Sequence, residues 1–321
     1  MKFLITGGCG FIGTYLSQLL SKHGEVYCLD NFTNFLMPNS NYISYLSKRL
    51  ELLTEAKVKF IRGDVRYLDS IKKTLDMVKP DVVVHLAAIP IAKVCNEQIQ
   101  NTFSTNMTGT VNLLSSLECS SVNRFVYASS SFVYGNFKYS CVKETSTTNP
   151  IDLYGASKLA GETFTKMFCR RFGIEWVILR PSAVYGALDC NSRVTQIILE
   201  KAHYNKPITI DGDGEQRLDF TYVKDTAECF KLAATHPKAK NEIFNATYGK
   251  AHTINEFLGI LRKFCFPNIS VKYIKQKDER PKRGTLKIKK ISTMLGYKPQ
   301  YSLERGIAEY VQFLRENSNE K

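Results

Sequence analysis

The chain has 321 residues, of which 44% are hydrophobic and 23% charged, and its formal net charge is +14 at pH 7. This composition is typical of a globular protein with a substantial core, and it excludes the disordered and fibrous classes. The sequence has no run of 18 or more apolar residues and residues 1–7 contain no signal-peptide segment, so we predict no membrane span and expect a cytoplasmic protein.

The nine cysteines are scattered singly, without a Cys-x-x-Cys pair, which predicts neither a zinc site nor a disulfide framework. We therefore expect no metal. The positive charge is concentrated near the end, where residues 270–321 contain 13 Lys and Arg against 6 Asp and Glu. No nucleic-acid-binding motif accompanies it, so we expect no nucleic-acid partner. The excess is either a solvated basic face or a means of attracting a diphosphate.

Short β-branched runs alternate with helical patterns through the first half, in the order of a parallel sheet covered on both faces. The predicted strands are 2–6, 25–30, 58–63, 81–86, 124–129 and 176–180. The predicted helices are 11–22, 68–78, 97–117, 153–172, 192–204, 224–235, 253–264 and 303–315. The predicted fold class is α/β, a Rossmann-type doubly wound parallel sheet with a smaller C-terminal α+β lobe. We place the nucleotide-binding domain at 1–180 and the lobe at 181–321, with some segments returning to the first domain.

A glycine-rich turn follows the first predicted strand and spaces Gly7, Gly10 and Gly13 as Gly-x-x-Gly-x-x-Gly. Glycines here permit a tight turn, let backbone amides approach a pyrophosphate, and allow the following helix to sit close to the sheet. Asp30 ends the second predicted strand 17 residues after Gly13, where a carboxylate can bind both hydroxyls of an adenosine ribose. A 2′-phosphate would be repelled there, so the pattern favours NAD over NADP.

Further motifs give the chain a resemblance, over nearly its whole length, to the extended short-chain dehydrogenase/reductases that act as NAD-dependent nucleotide-sugar epimerases and dehydratases. Gly63-Asp64-Val65-Arg66 is similar to the family's adenine-contacting segment, and His85-Leu86-Ala87-Ala88 to the strand beneath the cofactor. Asn106, before Gly109-Thr110, matches a position that props the active site. The resemblance implies a cofactor site of Gly7, Gly10, Phe11, Ile12, Gly13, Asp30, Asn31, Asn34, Asp64, Val65, Leu86, Ala87, Ala88, Asn106, Ser129, Tyr154, Lys158, Pro181 and Val184.

The catalytic candidates are Ser130, Tyr154 and Lys158. Tyr154 and Lys158 stand four residues apart, so a helix would place both on one face, one turn apart. A free tyrosine titrates near about 10, so a neighbouring cation and a positive nicotinamide ring are needed before its phenolate can act as a base near neutral pH. The spacing alone is common on surface helices. Here it follows a Ser-rich strand end that resembles the family's, in which Ser130 is the catalytic hydroxyl.

The resemblance also implies that Ser130, Ser131, Arg193, Arg217 and Arg280 bind the substrate. Residues 214–223 are similar to a block that supplies an arginine to the nucleotide diphosphate, but Leu218 stands where that arginine is usual, and Arg217 comes one residue earlier. Arg280 looks like the second family arginine, and Arg193 is either a phosphate ligand or a solvated side chain. The expected partner is a nucleotide-diphosphate sugar, with UDP-sugars favoured. By the same resemblance we expect a homodimer.

The reaction type depends on the residues after Ser130. In the family's 4,6-dehydratases these are Asp and Glu, and in its decarboxylases a Glu stands there, whereas this chain has Ser131 and Phe132. The resemblance is therefore to the 4-epimerases, which form a transient 4-keto sugar and leave NAD unchanged. A 4-keto reductase or dehydrogenase and a 4,6-dehydratase remain open. So does a different class, a non-catalytic NAD- or RNA-binding protein.

Overall fold

The computed structural model describes residues 1–33, 35, 42–276 and 280–317, so Asn34, a predicted cofactor residue, lies outside the described residues. The strands are β1 Lys2–Thr6, β2 Glu25–Asp30, β3 Lys59–Arg62, β4 Val82–His85, β5 Arg124–Ala128, β6 Cys141–Val142, β7 Glu175–Pro181, β8 Val184–Tyr185, β9 Ile208–Asp211, β10 Arg217–Leu218, β11 Thr221–Tyr222, β12 Glu242–Ala246, β13 His252–Thr253, β14 Val271–Ile274 and β15 Thr285–Leu286. The α-helices are α1 Phe11–Leu20, α2 Tyr42–Glu55, α3 Leu68–Val78, α4 Ala92–Glu97, α5 Ile99–Thr102, α6 Gly109–Ser115, α7 Leu153–Phe172, α8 Val194–His203, α9 Val223–Thr235, α10 Ile254–Phe264, α11 Lys289–Leu295 and α12 Leu303–Glu316.

Within the described ranges, seven parallel strands form the central sheet in the order β12-β7-β5-β4-β1-β2-β3. The middle strands β4 and β5 are buried along their whole length, as expected when helices cover both faces. Strands β2 and β3 lie on one side of β1 in the sheet, and the later strands β4, β5, β7 and β12 lie on its other side. Ligands of such sheets bind at the carboxyl ends of the strands where the order reverses, so the fold places its cleft beyond β1 and β4.

Three apolar clusters hold the layers together. One, containing Leu16 and Phe230, packs α1 and α9 on one face of the sheet, and a second, containing Ile71 and Leu113, packs α3 and α6 on the other. The third fills the C-terminal lobe between α8, α10 and α12. Strand β12 comes from the second half of the chain, yet it extends the central sheet beside β7. No helix among the described residues is long and apolar enough to cross a membrane.

The prediction of one continuous helix over 97–117 is wrong. The chain forms α4 and α5 on either side of Gln98, then a π-helix, Phe103–Thr108, before α6. Gln98 has φ −115° and ψ 61°, which breaks the helix, and the wider π turn contains Asn106, whose side chain bonds Ile89 instead of solvent. Helices α2, α4 and α11 and strands β6 and β8 to β15 were not predicted.

His85, at the end of β4, is buried with both ring nitrogens hydrogen-bonded. Thr110 donates its hydroxyl to the Asn106 carbonyl, so it accepts from His85 Nε2 at 3.0 Å, and Nδ1 accepts from Thr6 Oγ1 at 2.6 Å. This pattern fits the neutral ring, and burial lowers the pKa of His85 from 6.5 to about 3.

We expect the free energy of unfolding to fall as the pH drops from 6.5 towards 3, because the unfolded chain then takes up a proton that folded His85 does not. Urea denaturation at several pH values measures the slope of the free energy of unfolding against pH. His85→Gln should flatten it, whereas His23→Gln, at an exposed histidine, should leave it as in the parent chain. Equal slopes for the parent chain and His85→Gln would contradict the assignment.

Candidate active site

A cavity of about 450 Å³ opens at the carboxyl ends of the central strands. Most of the predicted site residues line it. These are Gly7, Gly10, Phe11, Ile12, Gly13, Asp30, Asn31, Asp64, Val65, Leu86, Ala87, Ala88, Ser129, Ser130, Ser131, Tyr154, Lys158, Pro181, Val184 and Arg193. Of the other predicted residues that the structure describes, Asn106 lies behind the wall, and Arg217 and Arg280 are absent from the lining.

The glycine-rich loop forms one end of the cavity. Gly7 has φ +71°, and a Cβ at Gly13 would lie 2.5 Å from the Gly7 carbonyl oxygen. Helix α1 can therefore begin directly against the loop only because these positions lack side chains. Gly10 caps α1 without a side-chain hydrogen bond, which leaves first-turn N–H groups available. The loop thus fits a pyrophosphate.

Asp30 lines the cavity at the end of β2. Its two carboxylate oxygens accept hydrogen bonds from the backbone N–H groups of Phe32 (2.9 Å) and Cys9 (3.0 Å). Burial raises the pKa of Asp30, and these two hydrogen bonds oppose the shift. A fixed carboxylate beside the glycine loop fits the hydroxyls of an adenosine ribose, as the sequence predicts.

Asp30→Asn is expected to weaken NAD binding by about 10- to 100-fold, because hydrogen bonds to a charged group contribute about 1.5–3 kcal/mol. Calorimetric titration of the variant with NAD and with NADP measures the effect, and the preference for NAD should shrink. Asp69→Asn, at an exposed position in the first turn of α3, is the matched control. An unchanged NAD affinity in Asp30→Asn would contradict the assignment.

Asn106 supports the cavity wall and does not line it. Its Oδ1 accepts from Ile89 N at 2.8 Å, and its Nδ2 donates to the Ile89 carbonyl at 3.2 Å and to Ser157 Oγ at 3.3 Å. It therefore ties the segment after β4 to α7, the helix that contains Tyr154. These contacts are all with protein groups behind the cavity wall, and a role for Asn106 beside the cofactor stays a prediction.

Ser130, Tyr154 and Lys158 meet at the other end of the cavity. Asp152 caps α7 by accepting from Gly155 N at 2.7 Å, and the helix then presents Tyr154 and Lys158 on one face. Lys158 Nζ donates to the Ala128 carbonyl at 2.8 Å and lies 5.9 Å from the Tyr154 ring centre. Ser130 Oγ accepts from Phe132 N at 3.3 Å and lies close enough to the phenol to lower its pKa.

Burial dominates the titration of these groups. It raises the pKa of Tyr154 to about 12, although the Ser130 hydrogen bond and the charge of Arg193 act in the opposite direction. It lowers the pKa of Lys158 to about 8. The lowered Tyr154 pKa expected from the sequence is therefore not found in the protein alone, because the loss of solvent outweighs the nearby cations.

A buried ion pair supports the strand end that contains Ser130. Glu162 accepts from Ser129 Oγ at 2.5 Å and from Arg180 at 2.8 and 2.7 Å, and both members of the pair are almost fully buried. Arg180 also donates to Tyr134 Oη at 2.9 Å. Ser129 is therefore held from behind, which fixes the backbone on which Ser130 and Ser131 are placed.

The predicted arginines divide into one inside the cavity and two outside it. Arg193 lines the cavity and pairs with Asp189 at 2.9 Å. Arg217 is exposed and donates to the Ala251 carbonyl, and Arg280 pairs with Asp211 at 2.6 Å. Arg217 and Leu218 are neighbours in β10, which pairs antiparallel with β13, so their side chains point to opposite faces of the strand. Leu218 lines the cavity, and Arg217 therefore points away from it.

Two other arginines line the cavity and were missed. Arg49 of α2 is buried and donates to the Leu188 carbonyl and to Cys190 Sγ. Arg283 lies with its guanidinium 3.7 Å from the Phe132 ring centre. Arg49 shares the buried face of α2 with Tyr45 and Leu53, but an arginine between two apolar residues gives no sequence signal that it lines a cavity. No signal in the basic segment around Arg283 distinguishes it from its neighbours.

Comparison with known proteins shows the family of this chain. The NAD dependent epimerase/dehydratase family matches residues 3–247, and the chain belongs to that family. It is therefore an enzyme of the extended short-chain dehydrogenase/reductase class with NAD as its cofactor, and the loop, Asp30 and the cavity wall fit that cofactor.

The relatives include more than one activity. A Methanocaldococcus jannaschii protein assigned as a UDP-glucose 4-epimerase is 33% identical over 98% of this chain and 99% of its own length. The dTDP-D-glucose 4,6-dehydratase of Mus musculus is 27% identical over 98% of this chain and 89% of its own. The crystal structure of UDP-glucuronic acid 4-epimerase from Bacillus cereus, in complex with UDP-glucuronic acid and NAD, matches with a TM-score of 0.90 and 30% identity, covering 98% and 99% of the two chains.

Proposed function

We propose that this enzyme is a UDP-sugar epimerase that inverts C4 through a transient 4-keto sugar. The observation that supports this best is the meeting of Ser130, Tyr154 and Lys158 at one end of a cavity whose other end fits NAD. Binding alone would not require these three side chains together. The C4-epimerase names among its relatives and structural neighbours give further support.

In the proposed mechanism, Tyr154 takes the proton of the C4 hydroxyl, and Ser130 hydrogen-bonds the same oxygen. When bound beside the glycine loop and Asp30, NAD would supply the hydride acceptor for C4 and the hydride donor for the opposite face of the 4-keto sugar. Lys158 is held by the Ala128 carbonyl, 5.9 Å from the Tyr154 ring centre, and its ammonium together with the positive nicotinamide ring of bound NAD would favour the phenolate against the effect of burial. Tyr154 then gives its proton back to the C4 oxygen, so the protein and cofactor end as they began.

The residues beside Ser130 favour epimerisation over dehydration. A dehydratase must protonate the C6 hydroxyl as it leaves, and this needs an acid near C6. Ser131 and Phe132 line the cavity next to Ser130, and neither is an acid. We propose that residues 1–180 bind mainly NAD, and that the lobe from 181 onward, with Arg193 and the start of α8, binds mainly the nucleotide diphosphate.

A panel of UDP-, GDP-, CDP- and TDP-sugars tests the proposal. Products are followed by NMR and NADH by absorbance in the same sample. Inversion at C4 of a UDP-sugar without net change in NADH is the expected result. Stoichiometric NADH formation or consumption would replace it with a dehydrogenase or reductase, and a 4-keto-6-deoxy product would replace it with a dehydratase.

We also propose a homodimer, acting in cytoplasmic carbohydrate biosynthesis without a nucleic-acid partner. Phe103 and Met167, on the π-helix and on α7, are 43% and 53% exposed, which favours a covered apolar face there. Light scattering after size exclusion should give twice the chain mass, and Met167→Glu should shift the protein to monomer. A monomeric parent chain would contradict this part of the proposal.

A further inference from the structure

Arg283 is a cation inside the cavity that forms no salt bridge in the part of the chain the structure describes, although the Asp152 carboxylate acts on its pKa from a greater distance. Its Nε is buried and has no hydrogen-bond partner. The guanidinium stacks on Phe132, and burial lowers its pKa to about 10, so it stays protonated at neutral pH. The nearby carboxylate of Asp152 accepts from Gly155 N to cap α7. Arg283 is half-buried, and a charge shielded from water without a hydrogen-bonded carboxylate is costly, so this position is suited to an incoming anion.

The other cations that line the cavity each make side-chain hydrogen bonds to the protein, although Arg49 Nε, like Arg283 Nε, is buried without a partner. Arg193 pairs with Asp189, Lys158 donates to the Ala128 carbonyl, and Arg49 donates to the Leu188 carbonyl and Cys190 Sγ. The residue type at position 132 also decides whether Arg283 is free to bind an anion, because an acid there would lie against the guanidinium and neutralise its charge. Phe132 instead offers a ring face, which holds the guanidinium and leaves its N–H groups for a ligand.

The position of Arg283 relative to Tyr154 indicates which part of the substrate it meets. Phe132 contacts Tyr154 edge to face, with ring centres 5.2 Å apart, and Arg283 stacks on the same Phe132 ring. The Phe132 ring thus separates the guanidinium from Tyr154, the base proposed to act at C4. In a pyranose linked to diphosphate through C1, the diphosphate lies across the ring from C4, whereas the C5 substituent is adjacent to it.

Resting on the function proposed above, we propose that Arg283 binds a carboxylate on C5, so that the preferred substrate is a UDP-activated uronic acid. A planar guanidinium matches a carboxylate with two parallel hydrogen bonds, which a neutral hydroxymethyl group cannot replace. Arg283 is in this view a specificity residue: it selects the sugar and leaves the chemistry at C4 to Ser130 and Tyr154.

The test compares UDP-glucuronate with UDP-glucose, which differ only in the C6 group, and includes UDP alone. Dissociation constants are measured by calorimetry on the NAD-loaded protein, and turnover by NMR. We expect Arg283→Gln to weaken UDP-glucuronate binding by about 10- to 100-fold. UDP-glucose and UDP should stay within about threefold of the parent values, a difference below about 1 kcal/mol. Lys282→Gln, the same charge change at an exposed neighbour, is the control.

Equal losses for UDP-glucuronate, UDP-glucose and UDP would overturn the proposal and place Arg283 on the diphosphate. Unchanged affinities for all three would overturn it as well. If Arg283→Gln does not fold, Arg283→Met keeps a side chain packed on Phe132 and allows the same comparison. A parent chain that turns over no nucleotide sugar would refute the proposed function, yet the binding constants would still decide whether Arg283 recognises the carboxylate.

Discussion

Tyr154→Phe is expected to lower the turnover of UDP-sugar by about 10²- to 10⁴-fold, the usual contribution of a general acid–base group. In the proposed mechanism the Tyr154 phenol takes and returns the C4 proton, and Ser130 lies beside it and lowers its pKa. NAD affinity should change little, because the substitution keeps the ring and removes only the hydroxyl. Initial rates by NMR, together with calorimetric NAD titration, separate the two effects.

Tyr127→Phe is the matched control for this substitution. Tyr127 is a buried tyrosine whose ring lies under Lys158, at 5.3 Å, but it does not line the cavity. Its loss of a hydroxyl should leave turnover close to that of the parent chain. Retention of more than about a tenth of the activity in Tyr154→Phe would fall outside the range of a general acid–base group and remove Tyr154 from the mechanism.

Glu162→Ala is expected to lower the free energy of unfolding by about 3–5 kcal/mol, because it leaves the Arg180 charge buried without its partner. The pair is almost fully buried, and Glu162 is the carboxylate in direct contact with both Arg180 and Ser129. Urea denaturation measures the loss. Turnover should fall too, since Glu162 would no longer hold Ser129 and the strand end that contains Ser130.

Two further variants make this prediction specific. Glu118→Ala breaks an exposed pair with Arg171 and should cost less than about 1 kcal/mol. Combining Glu162→Ala with Arg180→Met removes both buried charges and should recover much of the stability lost in the single variant. If Glu162→Ala costs no more than Glu118→Ala, the buried pair does not hold this part of the fold.

The sequence could predict the central sheet and the NAD end of the site because their signals are local. Strands 2–6 and 25–30 and helices 68–78 and 153–172 match the structure residue for residue, since apolar periodicity, glycines and caps occur within each segment. The glycine loop, Asp30 and the Tyr154–Lys158 pair are likewise fixed by neighbours in sequence.

Other features depend on distant parts of the chain and could not be predicted. Strand β12 has five residues, and only its pairing with β7 shows that it belongs to the central sheet. Helix α2 was hidden because Arg49 interrupts its apolar face. Nothing in the sequence around Arg217, Arg280 or Arg283 shows which of them faces the cavity. The path of the chain through the lobe places Arg283, and neither of the other two, in the cavity lining.

Deuterium labelling at C4 tests the central claim most directly, because the claim is that one hydride leaves C4 and returns to the same carbon. UDP-sugar labelled with deuterium at C4 is incubated with the enzyme, and the product is analysed by NMR. We predict that the label remains on C4 of the inverted sugar and that no NADH accumulates. A label transferred to C6, as atom balance requires for a 4-keto-6-deoxy product, or left on the cofactor, would contradict the account.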